Sequence, residues 1–335
     1  MERRRLGGTD LELSVIGLGT WVFGGRWGGA DDAASMAACH AAIDAGVNWI
    51  DTADIYGQGR AERIVGQAVR DRRDEVIVAT KGGVAWEFDP PNPLRIWREA
   101  SAEYLKMSCD RSLQALGLDH IDLFQVHWPV AGVPAEETIG ALVDLRDAGK
   151  IRAVGVSNYH LSDLEAAGAV AQIDSYQPGY HLMRRDIEAG ELPWCAAHGT
   201  GVIAYGPLAH GLLTGKMSAA TTFADNDWRA TSELFADDAF AERIAVVGEL
   251  EALAREAGRP GGVAELSVAW VLRRPEITAA IVGARSPDQA VRYAALAGAP
   301  LSADEDAAIE AILARHPAAS RHYGHGEPPD PSADA

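Results

Sequence analysis

Short apolar, β-branched runs alternate along the chain with segments whose apolar positions recur every three or four residues. The strand pattern occupies residues 15–20, 47–52, 75–81 (EVIVATK), 121–127, 151–157, 173–181, 202–205 and 278–282. Helical patterns lie between them, at 32–45, 61–70, 102–116, 136–148, 162–170 and 186–198, with further helices up to Arg274. The pattern is clearest over 102–116, where Ala102, Leu105, Cys109, Leu113 and Leu116 share one helical face and Gly117 ends the run. Ser286 and Pro287 supply a capping hydroxyl and a first-turn proline for the last helix.

Strands that alternate with helices pair in parallel, because each crossover needs a helix. Eight such units predict an α/β chain folded as a closed (β/α)₈ TIM barrel. A doubly wound sheet would need a third glycine after Gly17-Leu18-Gly19, and the chain has Val22 there. Residues 3–14, turning at Gly7-Gly8, are expected to form an N-terminal β-hairpin that plugs the barrel bottom. Residues 1–315 are expected to be one barrel domain, and the Pro-, Gly- and His-rich stretch 316–335 a disordered or loosely docked C-terminal extension.

Charge narrows the partners. The 335 residues carry 30 Lys and Arg against 48 Asp and Glu, a net charge of −18. That balance excludes a nucleic-acid surface and docking on anionic lipid, leaving a small molecule as the expected partner and oligomeric state open. The longest stretch without a charged residue, 192–215, contains prolines and glycines and does not read as a membrane span. No apolar run follows Arg3-Arg4-Arg5, so no export signal is expected. Cys39, Cys109 and Cys195 are scattered and read as reduced thiols of a cytoplasmic protein.

Three apparent motifs fail on chemistry. In 211–216 (GLLTGK) the glycines are one residue too close for a phosphate loop, and Met217 replaces the magnesium-binding hydroxyl. Gly155-Val156-Ser157 lacks the second glycine of a nucleophile elbow, because Tyr159 stands there. His316, His322 and His325 lie in the charge-mixed tail, and no metal is expected.

In the barrel the unusual polar residues fall at strand C-termini, the face where such folds collect their chemistry. Asp51 ends the second strand and Tyr56 follows in its loop. Lys81 ends the third and His127 the fourth. A buried Lys81–Asp51 pair needs both partners. A cation beside Tyr56 is expected to lower its pKa, so that the phenol can protonate a forming alkoxide, with His127 orienting the carbonyl. Ser157, Asn158 and Gln177 supply amide-type partners and Tyr205 a ring to stack on.

WIDTADIYG (49–57), ATKGG (79–83), QVHWP (125–129), GVSN (155–158) and IAYGPLAHGLLTGK (203–216) together resemble the aldo-keto reductases, in the expected order from about Arg4 to about Leu313. The pattern is most similar to the bacterial branch of inositol-dehydrogenase-like and general-stress reductases. The resemblance implies NADPH bound extended on a (β/α)₈ barrel and reversible hydride transfer between a carbonyl and an alcohol. It implies Tyr56 as proton donor, tuned by Lys81 and Asp51, with His127 orienting the carbonyl. Ser157, Asn158 and Gln177 would hold the carboxamide, and Tyr205 would stack on the nicotinamide. Gly206, Leu208, Gly215 and Lys216 match the loop that straps the pyrophosphate. Gly283, Arg285, Ser286 and Gln289 match the 2′-phosphate loop. Thr20 and Trp21 count with the cofactor site, and Trp21, Trp86 and Trp128 with an aromatic-walled substrate pocket. The family continues with Glu and Asn against adenine, where this chain has Arg292 and Tyr293. Arg292 either adds positive charge near the 2′-phosphate, stacks on adenine, or points to solvent. Two other readings of the constellation stay open: an NADPH-sensing regulatory subunit of the same fold without significant turnover, and a lyase using Lys81 as Schiff base.

Overall fold

Runs of Ile, Val and Ala with a glycine or a polar residue at their C-terminal ends pair in parallel and close on themselves. The computed structural model describes residues 1–25, 31–87, 94–225, 227–236 and 239–320. Its eight barrel strands, first to eighth, are Ile16–Gly19, Trp49–Asp51, Ile77–Gly82, Ile121–Val126, Ile151–Ser157, Ser175–Gln177, Gly201–Tyr205 and Ile277–Gly283. The eighth pairs back onto the first, with Ala280 opposite Ile16 and Gly283 opposite Gly19. Helices Asp32–Asp44, Arg60–Val69, Ala102–Leu116, Ala135–Asp147 and Leu161–Val170 follow the first five strands, and Glu191–His198 follows the sixth. Phe240–Glu256 and Gly262–Leu272 come after the seventh, Pro287–Ala294 after the eighth, and Ala303–Arg315 packs against Phe240–Glu256. This is the expected (β/α)₈ barrel.

Two apolar layers result from the period of two along each strand. Outward residues meet the helices in one continuous core. Inward residues form a second, smaller core with Trp49, Ala79, Leu123, Ala153, Ile203 and Ala279. Strands Arg3–Arg5 and Glu12–Ser14 form the expected antiparallel hairpin. Its Leu6, Leu11 and Leu13 are buried in that inner core and close one end of the barrel. Trp49 fills much of the interior, and its Nε1 donates to the Ser14 carbonyl at 2.8 Å. Gly17 makes room for it, because a Cβ there would overlap the indole.

Three local features differ from the sequence pattern. The sixth strand covers only Ser175–Gln177, since Pro178 offers no N–H; Gly179 and His181 make isolated bridges instead. The segment 186–198 splits into a 3₁₀ turn at Asp186–Glu188 and the helix Glu191–His198, because Gly190 (φ −129, ψ −61) leaves helical geometry. After the third strand, Val84–Glu87 and Arg95–Arg98 pair as an antiparallel hairpin not read from the sequence. At the C-terminal end, Pro317–Ser320 forms a docked turn with Ala319 buried, and His316 contacts Glu249 at 2.6 Å. His322 and His325 lie outside the described residues. Among the described residues no cluster could hold a metal ion, and no helix is long and apolar enough to cross a membrane. The three cysteines are free and buried, and burial pushes each thiol up to about 12.

The plug has a measurable consequence. Leu13→Ala leaves a void in a closed interior that cannot collapse, and a loss of ~2–5 kcal/mol is expected from urea unfolding midpoints.

Candidate active site

The second and third barrel strands are hydrogen-bonded neighbours, with Asp51 opposite Ala79. That register brings the ends of both strands together at the rim away from the plug. Lys81 Nζ donates to Asp51 Oδ2 at 2.7 Å, to the Thr52 carbonyl at 2.9 Å and to the Tyr56 hydroxyl at 3.4 Å. Both charged side chains are buried, at 1% exposure for Lys81 and 5% for Asp51. The sixth strand completes the pair, because Gln177 Nε2 donates to Asp51 Oδ1 at 2.8 Å. Neither carboxylate oxygen of Asp51 is left without a donor, the condition on which a buried ion pair survives.

His127 follows the fourth strand, its N–H held by the Gly82 carbonyl at 2.8 Å. Its ring meets Tyr56 edge to face at 5.8 Å between centroids. Its Nδ1 is buried without a hydrogen-bond partner. Burial, then the charges of Lys81 and Arg98, holds His127 well below the usual histidine range, so it is a neutral imidazole.

The Tyr56 hydroxyl corrects one expectation. The Lys81 cation was expected to lower its pKa, but burial pushes it well above 10, with the Asp51 charge adding to the rise. Lys81 is itself paired with Asp51, so its field on the phenol is largely cancelled. Tyr56 is therefore a phenol holding its proton, the form a proton donor needs. Burial also lowers the Lys81 pKa despite the opposing pull of Asp51. This reverses the direction expected from Asp51 alone, but all three contacts of the ammonium are made inside the protein.

The amide group expected from sequence gathers at the next rim positions. Ser157 Oγ donates to the Gln177 carbonyl at 2.8 Å. Asn158, held in left-handed backbone geometry at φ 60, donates to the His127 carbonyl at 3.0 Å and to Ser157 Oγ at 3.1 Å. Tyr205 ends the seventh strand, and its hydroxyl donates to Asn158 Oδ1 at 2.9 Å while accepting from Arg184 at 3.3 Å. Thr20, buried after the first strand, donates through N–H and Oγ1 to the Asp51 carbonyl.

The loop after Tyr205 carries backbone that only a tight fold selects. Gly206, Ala209, His210, Gly211 and Gly215 all have positive φ. Leu208 is buried beneath this turn, and Lys216 is exposed at its end. Trp21 packs against His210 (5.9 Å) and Trp228 (5.2 Å), so Trp228 folds back over this loop. Gly283 is exposed at the end of the eighth strand. Ser286 caps the following helix by accepting from the Gln289 N–H, and Gln289 Oε1 accepts from the Arg285 N–H at 2.8 Å. Arg292 is exposed on that helix and Tyr293 half-buried.

The three tryptophans of the expected pocket do not stay together. Trp21 joins His210 and Trp228. Trp128 lies beside His127, with the Arg98 guanidinium over its ring at 4.3 Å. Trp86 sits on the outer hairpin against Arg111 of the helix Ala102–Leu116 (5.8 Å), beside a separate cavity. Sequence reading also missed Gln125, Arg98, Arg184, His210 and Trp228, although Gln125 and His210 lie within the quoted motifs 125–129 and 203–216.

A family model described as "Aldo/keto reductase family" matches residues 15–314. The chain belongs to the aldo/keto reductase family. It is 39% identical to the aldo-keto reductase YhdN of Bacillus subtilis (strain 168), over 93% of this chain and 94% of that protein. The structure of the glycerol dehydrogenase AKR11B4 from Gluconobacter oxydans superposes with a TM-score of 0.87 at 38% identity, covering 94% of this chain and 95% of that one. An aldo/keto reductase from Klebsiella pneumoniae, solved in complex with NADP and acetate, superposes with a TM-score of 0.70 at 31% identity, covering 95% and 96%.

Two outcomes follow for this reductase-family site. Lys81→Met strands a buried carboxylate at Asp51, and a stability loss of ~3–5 kcal/mol is expected in denaturant titrations. Because His127 is neutral and Tyr56 protonated, turnover in the reduction direction should show no ionisation step near pH ~6.5. A pH–rate profile checks this; a step there that disappears in His127→Gln would show that His127 titrates.

Proposed function

We propose that this chain is an NADPH-dependent oxidoreductase that interconverts a small aldehyde or ketone and the corresponding alcohol. The observation that carries this reading is the single Lys81 ammonium contacting Asp51, Thr52 and the Tyr56 hydroxyl, with the neutral His127 ring beside that hydroxyl. A carbonyl oxygen seated between Tyr56 and His127 would meet two neutral hydrogen-bond groups. Tyr56 transfers its proton to the oxygen as negative charge develops there. Lys81 stabilises the phenolate left behind, and Asp51 keeps the ammonium in place through that change. His127 orients the carbonyl and excludes water from its face.

A bound nicotinamide cofactor would supply the hydride. The residues present fit such a group. Ser157, Asn158 and Gln177 offer the amide and hydroxyl set that a carboxamide requires. The half-buried Tyr205 ring lies next to Asn158 as a stacking surface. Gly206, Leu208, Gly215 and Lys216 would face the pyrophosphate. Gly283, Arg285, Ser286 and Gln289 present a helix N-terminus and a guanidinium suited to a 2′-phosphate. Thr20 and Trp21 would lie near the nicotinamide, with Trp21 and Trp128 bordering the substrate. Trp86 lacks a comparable place beside Tyr56.

The complete set of Tyr56, Lys81, Asp51 and His127 favours turnover over a purely sensing role. A Schiff-base role for Lys81 is disfavoured because its nitrogen is enclosed and its contacts are taken up within the protein. Tyr56→Phe should keep NADPH affinity, read by cofactor fluorescence, and lose most of kcat, read as NADPH absorbance loss with 4-nitrobenzaldehyde. Near-normal turnover would remove Tyr56 as the acid; absence of turnover in the unaltered protein would favour the sensing role.

A further inference from the structure

Behind the loop that carries Tyr56, outside the barrel, a cavity of about 600 Å³ opens between the helices Arg60–Val69 and Ala102–Leu116. Its volume suits a small organic ligand. The two helices approach closely beside it, where Gly66 lies so near the Leu116 carbonyl that a Cβ would collide. Trp86, from the outer hairpin, forms a flat apolar part of the lining.

The lining is divided by charge. Arg63, Arg70 and Arg111 stand at its exposed edge. Several arginines elsewhere on this acidic chain are tied to carboxylates: Arg72 to Asp44 and Glu75, Arg152 to Asp10 and Asp122, Arg259 to Glu265 and Glu305. Among the described residues, none of the three cavity arginines has a carboxylate within ion-pair distance. Arg111 instead faces the Trp86 ring at 5.8 Å. The floor holds two buried acids. Glu62 accepts from the Thr80 hydroxyl at 2.7 Å, and Asp54 Oδ2 accepts from the Ser108 hydroxyl at 2.7 Å. Asp54 Oδ1 has no partner, although Asp54 is 1% exposed. Burial pushes both carboxyls up, Asp54 far up, which favours a protonated acid at Asp54 beneath the positive edge.

We propose that this cavity is a second ligand site that takes a purine nucleoside monophosphate. The phosphate would meet the arginines, where guanidinium groups bind it with charge-assisted hydrogen bonds. The purine would stack on Trp86. A purine edge carries a hydrogen-bond donor beside an acceptor, and a neutral carboxylic acid answers both at once. That pairing supplies the partner Asp54 Oδ1 lacks. Inorganic phosphate satisfies only the arginines, and a free nucleoside only the floor and the ring. Asp54 lies two residues before Tyr56, so occupancy there would be felt by the catalytic loop.

The test uses the full chain saturated with NADPH, so that the main nucleotide site is filled; NADPH binding is measured first and separately. Calorimetric titration with AMP is expected to show one further equivalent bound. Inorganic phosphate and adenosine should each bind at least tenfold more weakly. The double substitution Arg63→Ala/Arg111→Ala, both at exposed positions, should weaken AMP at least tenfold and leave NADPH affinity unchanged. No further AMP equivalent, equal AMP affinity in the double variant, or phosphate alone binding as tightly as AMP would each overturn the proposal.

Discussion

The Lys81–Asp51 ion pair is the constraint around which the rim is arranged. Removing both charges from water costs several kcal/mol per ion, and only dense hydrogen bonding around the pair offsets that. Three barrel strands supply it: the second through Asp51 and the Thr52 carbonyl, the third through Lys81, and the sixth through Gln177. The sixth is remote in sequence from the other two and reaches the same point only in a closed barrel. A pair so enclosed cannot relax toward solvent, so its ammonium stays aimed at the Tyr56 hydroxyl.

The same burial sets the protonation states nearby. Burial holds both the half-buried Tyr56 and the buried His127 in their neutral forms. A neutral donor and a neutral ring beside one cation, itself balanced by Asp51, keep the proton on the phenol. The polar set at this rim contrasts with the opposite end, where Leu6, Leu11 and Leu13 seal the barrel with apolar side chains. Stability and chemistry are thereby separated along the barrel axis.

Much of this was legible in the residue pattern. Alternating strand and helix periods located all eight barrel strands, and Gly7-Gly8 marked the hairpin turn, because local periodicity and turn chemistry act over a few residues. Asp51, Lys81 and His127 stood out as polar residues at the ends of apolar strands. The outer hairpin Val84–Glu87 with Arg95–Arg98 was not legible, since a short two-stranded ribbon depends on the helices beneath it. The break at Gly190 and the shortening of the sixth strand at Pro178 each turned on one residue within a continuous apolar pattern.

The order of elements, the barrel class, and the polar side chains that reach the strand ends can all be read from residue order, because each follows from spacing along a single segment. What those side chains do to one another is set by packing between remote segments. It set Trp86 apart from Trp21 and Trp128, folded Trp228 onto Trp21, and reversed the expected shift of Tyr56. Desolvation and the cancelling of Lys81 by Asp51 depend on distances between segments remote in the chain, and no local pattern carries a distance of that kind.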